Sequence, residues 1–318
     1  YLYSPTLSAM YAGHQTIQAT TIGGVDANGK DVTNEVTYMV LEAAKAMRTT
    51  QGCLSVRVHD GTPKELLMKS LDVVKTGIGY PALLNDKAWI PMFLKWGVPL
   101  EDARNYQVRG CIYQGIAGKN INRQVATYLL LPKCLWWALH QGVDPKTGYQ
   151  RGPRTQDPLT FQRMEEVMDA FLQQTEYFVS RAVRWANYSK GVYARYMPRV
   201  FVSALIDGCI ERGQDMLRWR EPYGSMGFIT TTGGINVANA LAAMKKFVFE
   251  EKRISMSKLI DVLDHNWEGH EDLRQLFMNG APKYGNNDDY VDSIVAQMYR
   301  RLEACLLYTS DAADEEDS

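Results

Sequence analysis

Strand-like and helix-like segments alternate along the first part of this 318-residue chain, and this alternation is what most limits its fold. The segment "CLSVRVH" places Leu54, Val56 and Val58 at every second position, which is typical of a β-strand. The segment "TPKE" that follows has the spacing of a capping box and predicts that a helix over "KELLMKSLDVVKT" begins there. Strands that alternate with helices predict an α/β architecture.

Other segments have the apolar spacing of helices, among them "VTYMVLEAAKAM" and "TFQRMEEVMDAFLQQTEYFVSRAVRWANYSKGVY". The segment "INRQVATYLLLPKCLWWALHQG" is long and apolar, and Pro132 is expected to kink or divide a helix there. Ser255 is expected to cap the helix of "SMSKLIDVLDHNW" through its hydroxyl.

The segment "NYQVRGCIYQGIAGKN" carries the main candidate for chemistry. A strand-like run ends in Gly110 and Cys111, and a loop with two more glycines follows. Gly110 permits a tight backbone, and the glycine loop would let a cysteine stand at its tip rather than in a packed face. Most free cysteines are small buried apolar side chains. The residues alone therefore make Cys111 a candidate nucleophile and do not define a function.

Composition argues against several classes of protein. The five cysteines are scattered without CxxC pairs or His/Cys clusters, which argues against a zinc site and a disulfide framework and favours a reducing cytoplasm. No apolar run approaches the roughly 20 residues that a membrane span needs. Lys and Arg total 35 against 36 for Asp and Glu, which is not the basic surplus of a nucleic-acid-binding protein.

The final segment, "CLLYTSDAADEEDS" over residues 305–318, differs in composition from everything before it. It is acidic without a single basic residue, and "CLLYTSDAADE" looks like a translated sequencing adapter. We therefore expect residues 1–304 to form the catalytic-domain segment and residues 305–318 to be a non-native tail that packs on nothing. The alternative is a disordered acidic tail.

Several further residues are candidates with weaker sequence support. Arg57 and His59 share one face of the predicted strand with Ser55, where they could bind a carboxylate or lie on the outside of the fold. Arg123 and Lys119 follow the cysteine segment, where they could hold an anionic substrate or be solvated. The segment "GFITTTGGIN" lacks the Gly-Lys-Ser/Thr ending of a phosphate loop, and "GNNDDY" lacks the final glutamate of a calcium loop.

Several ordered segments resemble the glycyl radical enzymes, the family of pyruvate formate-lyase. The cysteine segment fits this resemblance, because a Gly-Cys pair follows "GVPLEDARNY". The resemblance reaches to about Tyr299 and rests on several independent segments rather than on one motif. The other matching segments are "TIGGVDANGKDVTNEVTYMVLEAA", "LSVRVHDGTP", "GYPALLNDK", "SALIDGCIERGQD", "NVANALAAMKKFVFEEKRISM" and "APKYGNNDDYVDSIV".

The resemblance implies an α/β fold that is part of a glycyl-radical-enzyme barrel, with two half-sheets wrapped by helices and the catalytic cysteine on an inner loop. It implies that Cys111 becomes a thiyl radical that takes a hydrogen atom from the substrate. The radical originates on a glycine near the C-terminus, where a radical S-adenosylmethionine (radical-SAM) activating enzyme installs it. A homodimer of the full-length protein and a small organic-acid substrate are also implied, with no bound cofactor, metal, nucleic acid or membrane.

Two features of the family are missing from the sequence. The C-terminal glycine motif, which resembles Arg-Val-x-Gly-Tyr, does not occur, and neither does the half that usually precedes this region. We therefore expect an internal fragment that holds the cysteine loop without the radical glycine. Such a fragment is expected to be inactive by itself, even with the activating enzyme and S-adenosylmethionine, because it has no glycine to oxidise.

The residue two positions after the cysteine departs from the family pattern. Many dehydratases and lyases of the family have Gly-Cys-x-Glu, in which the glutamate acts as a base, whereas this chain has Tyr113 followed by Gln114. A phenol with an ordinary pKa of about 10 is a poor base at neutral pH. It can still donate a hydrogen bond or pack on an aromatic substrate. We therefore predict that Tyr113 and Gln114 bind the substrate, the alternative being that Tyr113 only shapes the loop.

The order of the predicted reactions follows from this departure. C–C cleavage, such as decarboxylation of an arylacetate-like acid, comes first, and radical addition to an alkene acid, as in the alkylsuccinate synthases, competes with it. Dehydration is placed below both because the glutamate is missing. A non-catalytic member of the family is the alternative from another class, and Cys111 argues against it.

Overall fold

Strands and helices alternate through the first half of the computed structural model, as the sequence predicts. The chain consists of two compact units: residues 1–123 with 193–226, and residues 124–192 with 227–318. We call them the first and the second unit and describe each by itself. The structure describes residues 19–48, 53–109, 113–119, 125–218 and 228–315.

The helices and strands have the following bounds. In chain order they are β1 (Ala19–Gly23), α1 (Glu35–Met47), β2 (Cys53–Val58), α2 (Lys64–Val74), β3 (Ala82–Asn85), α3 (Asp86–Lys95), α4 (Leu100–Arg104), β4 (Tyr106–Arg109), β5 (Tyr113–Ile116), β6 (Val125–Leu130), α5 (Leu131–Ala138), α6 (Met164–Tyr196), α7 (Val200–Ser203), α8 (Cys209–Arg212), β7 (Phe228–Thr232), α9 (Gly234–Met244), α10 (Met256–Asp264), α11 (Glu271–Asn279) and α12 (Asp289–Glu315). A π-helical segment, Lys245–Glu250, continues α9. Among the helices of the described ranges, none combines the length and the hydropathy that crossing a lipid bilayer requires.

The first unit is built on a parallel three-stranded sheet in the order β1-β2-β3. Because successive strand residues face opposite sides, Leu54 and Val56 of the central strand share one face. There they pack with Leu41 of α1 and with Leu66 and Val73 of α2. The predicted alternation of "CLSVRVH" is therefore confirmed, and its apolar face carries the helical layer.

The antiparallel hairpin of β4 and β5 lies on the opposite face of this sheet. The backbone N–H of Val108 in β4 donates to Thr21 Oγ1 at 2.9 Å. Thr21 is registered with Ser55, so its side chain lies on the face that also carries Arg57. An apolar cluster joins the hairpin to α3 and includes Phe93, Tyr106, Val108 and Ile116.

The two helices predicted in the first unit are both present, but the one predicted cap is wrong. The predicted helix over "VTYMVLEAAKAM" is confirmed as α1, and Asn34 and Thr37 form a reciprocal capping box at its start. The predicted capping box at the start of α2 is wrong. The Thr62 hydroxyl accepts from the His59 N–H at 2.8 Å, so it serves a turn, and Pro63 precedes the helix without a side-chain cap.

The second unit packs helices around the parallel pair β6 and β7. Its core draws on most of its helices and includes Leu131, Met168, Phe171, Leu241, Phe247, Leu259 and Met298. The segment predicted to be helical and to be kinked or divided at Pro132 is a helix only from Leu131 onward. Residues 125–130 form β6, because β7 supplies a partner for their backbone, and Pro132 lies in the first turn of α5, where its missing N–H costs nothing.

The two ends of the helical region have different outcomes. Ser255 caps α10 as predicted, since its hydroxyl accepts from the Lys258 N–H at 3.1 Å. The backbone of α12 continues past Cys305 to Glu315. The side chains beyond Glu303 and Ala304 lie outside the described part, so the absence of packing by residues 305–318 stays a prediction.

We predict that Leu241→Ala lowers the free energy of unfolding by about 2–5 kcal/mol, because the leucine side chain has no exposed surface and its truncation leaves a cavity. Leu159→Ala is the matched control in the same unit, since that leucine is 58% exposed. Urea unfolding of both variants, followed by circular dichroism, measures the difference. Equal losses for the two variants would contradict the position of Leu241 in the core.

Candidate functional site

The predicted catalytic residue falls between two strands that the structure describes. Arg109 ends β4, Tyr113 begins β5, and the two residues are registered with each other in the antiparallel pair. Gly110 and Cys111 themselves lie outside the described residues, as does Arg123. The position of Cys111 at a loop tip and the anion-binding role of Arg123 therefore stay predictions.

Tyr113 and Gln114, the two predicted substrate-binding residues, lie on opposite sides of β5. Gln114 is 6% exposed and is registered with Val108, on the side of Ile116 and the apolar cluster under the hairpin. Tyr113 is half-buried and shares the other side with Gly115. Residues 110–112, which join Arg109 to Tyr113, lie outside the described residues. That Tyr113 or Gln114 lies beside the cysteine therefore stays a prediction.

Arg57 takes part in a buried cluster at the base of the hairpin. Its Nε and Nη2 donate to the two carboxylate oxygens of Asp86 at 3.0 and 2.8 Å, and its Nη1 donates to the Tyr106 carbonyl at 3.1 Å. The guanidinium also lies 4.0 Å from the centroid of the Tyr106 ring. The Tyr106 hydroxyl closes the cluster by donating to Asp86 at 2.7 Å. Arg57 is thus bound within the protein, which favours a structural role over the predicted carboxylate-binding one.

Burial and a hydrogen bond decide the protonation of Tyr106 in this cluster. Burial, with the hydrogen bond to Asp86, raises the pKa of Tyr106 far above its ordinary value, so the phenol is a neutral donor. Asp86 accepts three hydrogen bonds from two side chains, which compensates the loss of water around a buried carboxylate. It is also the first residue of α3, where the helix dipole favours a negative charge.

A glycine makes room for the guanidinium. Gly24 has a φ of +89°, in the left-handed region, and a Cβ there would lie 2.7 Å from the Arg57 guanidinium carbon. Any other residue would therefore be strained and would also collide with the cluster. The glycine directly after β1 is thus required by the same interaction that holds the hairpin.

His59 is also occupied by the protein. Its Nδ1 accepts the Gly61 N–H at 3.1 Å, which leaves Nε2 to donate to Asp31 at 2.9 Å. Asp31 also accepts from the hydroxyl and the N–H of Thr33. The side chain closes a turn between two loops, and the geometry favours this role over binding of a substrate carboxylate.

Lys119 anchors the chain on the far side of β5. Its ammonium donates to both oxygens of Asp102 at 2.8 and 2.9 Å, and this hydrogen bond raises the pKa of Lys119. The neighbouring Gly118 carbonyl accepts the Asp207 N–H at 2.8 Å. The hairpin is therefore held at the start of β4 by the Arg57 cluster and after β5 by these two contacts.

Sequence reasoning missed Asp86 and Tyr106. Both occur in or beside segments that carry the family resemblance, but neither has a motif of its own. The available signal was Arg57 itself, because an arginine inside an apolar strand is rarely buried without a partner. Ser55 lies on the same face as Arg57. Its hydroxyl is fully buried and has no hydrogen-bond partner within the described ranges.

The sequence of this chain is similar to one family of proteins and to several characterised relatives. A family profile described as pyruvate formate lyase-like matches residues 1–312. A trans-4-hydroxy-L-proline dehydratase of Clostridioides difficile is 33% identical over 277 residues, which cover 87% of this chain and 35% of that protein. An isethionate sulfite-lyase of Nitratidesulfovibrio vulgaris is 33% identical over 293 residues, covering 92% of this chain and 35% of that protein. The chain thus spans about a third of the length of these relatives.

A solved structure supports the fold. The glycerol-bound form of the B12-independent glycerol dehydratase from Clostridium butyricum superposes with a TM-score of 0.77 at 32% identity, covering 91% of this chain and 36% of that chain. This match confirms the predicted fold class, an α/β fold that forms part of a glycyl-radical-enzyme barrel.

We predict that Asp86→Asn lowers the free energy of unfolding by about 3–5 kcal/mol, because it leaves the buried Arg57 without a counter-charge. Asp60→Asn is the matched control. Asp60 pairs with Lys87 at 2.6 Å, but its side chain is 81% exposed, and such pairs contribute only about 0–1 kcal/mol. Chemical denaturation measures both losses, and a loss below 1 kcal/mol for Asp86→Asn would contradict the role given to the cluster.

Proposed function

Because this chain belongs to the pyruvate formate lyase-like family, as the sequence predicts, we propose that its parent protein is a glycyl radical lyase that eliminates a small leaving group from an organic substrate. The observation that carries this proposal is the pair of relatives at 33% identity, which by their names remove water and sulfite. Both reactions are eliminations. The relatives therefore favour elimination over the C–C cleavage that the sequence placed first.

Cys111 is the residue proposed to start the reaction. Its thiyl radical takes a hydrogen atom from a substrate carbon, and the S–H bond forms as the C–H bond breaks. The substrate radical expels the leaving group from the neighbouring carbon, and the product radical takes the hydrogen atom back from the thiol. A glycyl radical, installed by a radical-SAM activating enzyme, supplies the unpaired electron. We also propose that the full-length protein is a homodimer.

The described residues support a rigid mount for this cysteine. Hydrogen-atom transfer needs the reacting atoms held within about 3–3.5 Å, and a small displacement costs rate. The Arg57 cluster fixes the first residue of β4, and the contacts of Gly118 and Lys119 fix the chain after β5. The hairpin that bears residues 110–112 thus depends on satisfied polar contacts on both sides.

Tyr113 bears on the choice of leaving group. Hydroxide must be protonated as it leaves, whereas sulfite leaves as a stable anion. A neutral phenol can donate a hydrogen bond to a departing oxygen, but it does not replace a carboxylate as a base. Among eliminations, loss of a stabilised anion such as sulfite therefore requires the least proton transfer from the residue at position 113.

C–C cleavage is the second candidate, and Tyr113 is the observation that favours it. Loss of carbon dioxide from a substrate radical needs no glutamate beside the cysteine, and a phenol suits the ring of an arylacetate. A non-catalytic family member is disfavoured by the presence of Cys111.

A substrate panel tests the proposal. The complete protein, activated without oxygen, is expected to turn over at least one of isethionate, trans-4-hydroxy-L-proline and glycerol, and to be slower on arylacetates. Cys111→Ser should abolish turnover while the glycyl radical signal in electron paramagnetic resonance persists, because the radical forms upstream of the thiol. Release of carbon dioxide alone would favour the second candidate, and turnover by the serine variant would contradict the role of Cys111.

Tyr113→Phe separates a binding role from proton transfer by magnitude. Loss of one hydrogen bond, about 0.5–1.5 kcal/mol, should reduce kcat/KM by roughly two- to twelve-fold. Loss of a required acid or base would cost about 10²–10⁴-fold. Tyr149→Phe, at a tyrosine of the second unit that is 66% exposed, is the matched control and should leave kcat/KM unchanged. A thousandfold loss for Tyr113→Phe would show that the phenol takes part in proton or electron transfer.

A further inference from the structure

The second unit contains a cavity that the proposed reaction does not use. It has a volume of about 390 Å³ and lies among α5, α9, α10 and α11. This volume falls in the range of small-molecule sites in proteins. Its walls are mainly apolar and include Leu135, Trp136, Leu259, Leu263, Trp267 and Phe277.

The backbone that carries one wall is strained. Asn266 and Trp267 have φ values of +51° and +63°, in the left-handed region that non-glycine residues rarely adopt. A hydrogen bond of 2.7 Å from the Trp267 N–H to the Val262 carbonyl holds this conformation. It sets the indole against Phe277, with ring centroids 5.5 Å apart. Strain of this kind in a bulky residue points to a constraint beyond simple turn formation.

The wall formed by α11 is not packed as a core helix would be. None of its nine residues is fully buried, although Leu273, Leu276 and Phe277 face the core. Met278 at the cavity edge is 56% exposed. The helix covers the cavity and leaves apolar surface for a ligand to contact.

The charges at the cavity are unbalanced. Arg274 is neutralised by Glu271, with two hydrogen bonds of 2.7 Å. The half-buried Lys283 donates only to the Phe277 carbonyl, at 3.1 Å, and no carboxylate pairs with it within the described ranges. Burial lowers the pKa of Lys283, as expected for an ammonium drawn away from water without a counter-ion.

A second polar side chain lines the same cavity. The Asn239 carboxamide oxygen accepts the Tyr284 N–H at 3.0 Å, which orients the amide and leaves its NH₂ group as a donor at the cavity wall. The two donors suit the charged head group of an amphipathic anion, and the apolar walls suit its hydrocarbon body. A purely apolar segment of polypeptide would leave both donors without a partner.

We propose that this cavity binds a small organic anion with an apolar body, such as a medium-chain carboxylate. The carboxylate is held by Lys283 and Asn239, and the apolar part lies against Trp136, Trp267 and Phe277. The site belongs to the second unit alone and is independent of the cysteine chemistry.

Octanoate is the probe, and 1-octanol is its uncharged counterpart. Titration into the 318-residue chain, followed by calorimetry and tryptophan fluorescence, should show saturable octanoate binding at one site per chain. Octanol should bind roughly ten-fold more weakly, the order expected when a hydrogen bond to a charged group is lost. No saturable octanoate binding, or equal affinity for both probes, would overturn the proposal and indicate an apolar surface for another polypeptide.

Variants locate the site. Lys283→Met should abolish the preference for octanoate, whereas Lys258→Met on α10, a partly exposed lysine paired with Asp261, should preserve it. Ala240→Phe should fill the cavity and abolish binding of both probes. Circular dichroism checks that each variant is folded. Normal octanoate binding by either Lys283→Met or Ala240→Phe would place the ligand elsewhere and overturn the assignment.

Discussion

The buried contact of Arg57 with Asp86 and Tyr106 is the interaction on which the first unit depends. It joins the end of the central strand, the first turn of α3 and the first residue of β4, which are distant in sequence. A buried ion pair is weak as a source of net stability, but removal of one member is costly. Its effect is therefore specificity: among the ways β4 could cross the sheet, it strongly favours the one that brings the Tyr106 carbonyl to Arg57.

The two faces of the parallel sheet in the first unit make different kinds of contact. One face carries Leu54 and Val56 and packs on helices, which supplies the hydrophobic driving force. The other carries Ser55 and Arg57 and receives the hairpin through directional contacts. A reactive loop needs definite position more than burial energy, and hydrogen bonds provide position. The arrangement thus places polar specificity where the chemistry is proposed and apolar packing on the opposite side.

Local sequence patterns predict the helices and strands that depend on neighbouring residues, whereas tertiary contacts determine the others. The alternation around Val56 and the cap at Ser255 depend on neighbours in sequence, so they could be found without a structure. The strand before Pro132 could not, since its backbone pairs with β7, about a hundred residues later. The predicted cap at Thr62 is wrong because its hydroxyl accepts the His59 N–H in a turn instead of an N–H of the helix. The opposite orientations of Tyr113 and Gln114 were predictable from strand alternation alone, and only the register shows which of the two faces the core.

The same physical rule distinguishes Arg57 from Lys283. A buried charge is tolerated when the fold supplies its counter-charge and fills its hydrogen bonds. Arg57 meets that condition through Asp86 and Tyr106, which favours a structural role for it over substrate binding. Lys283 does not meet it, because a single backbone carbonyl takes one of its three donors and leaves the charge uncompensated. Resemblance to a family leads to the cysteine, whereas the uncompensated charge of the half-buried Lys283 leads to the ligand site proposed in the second unit.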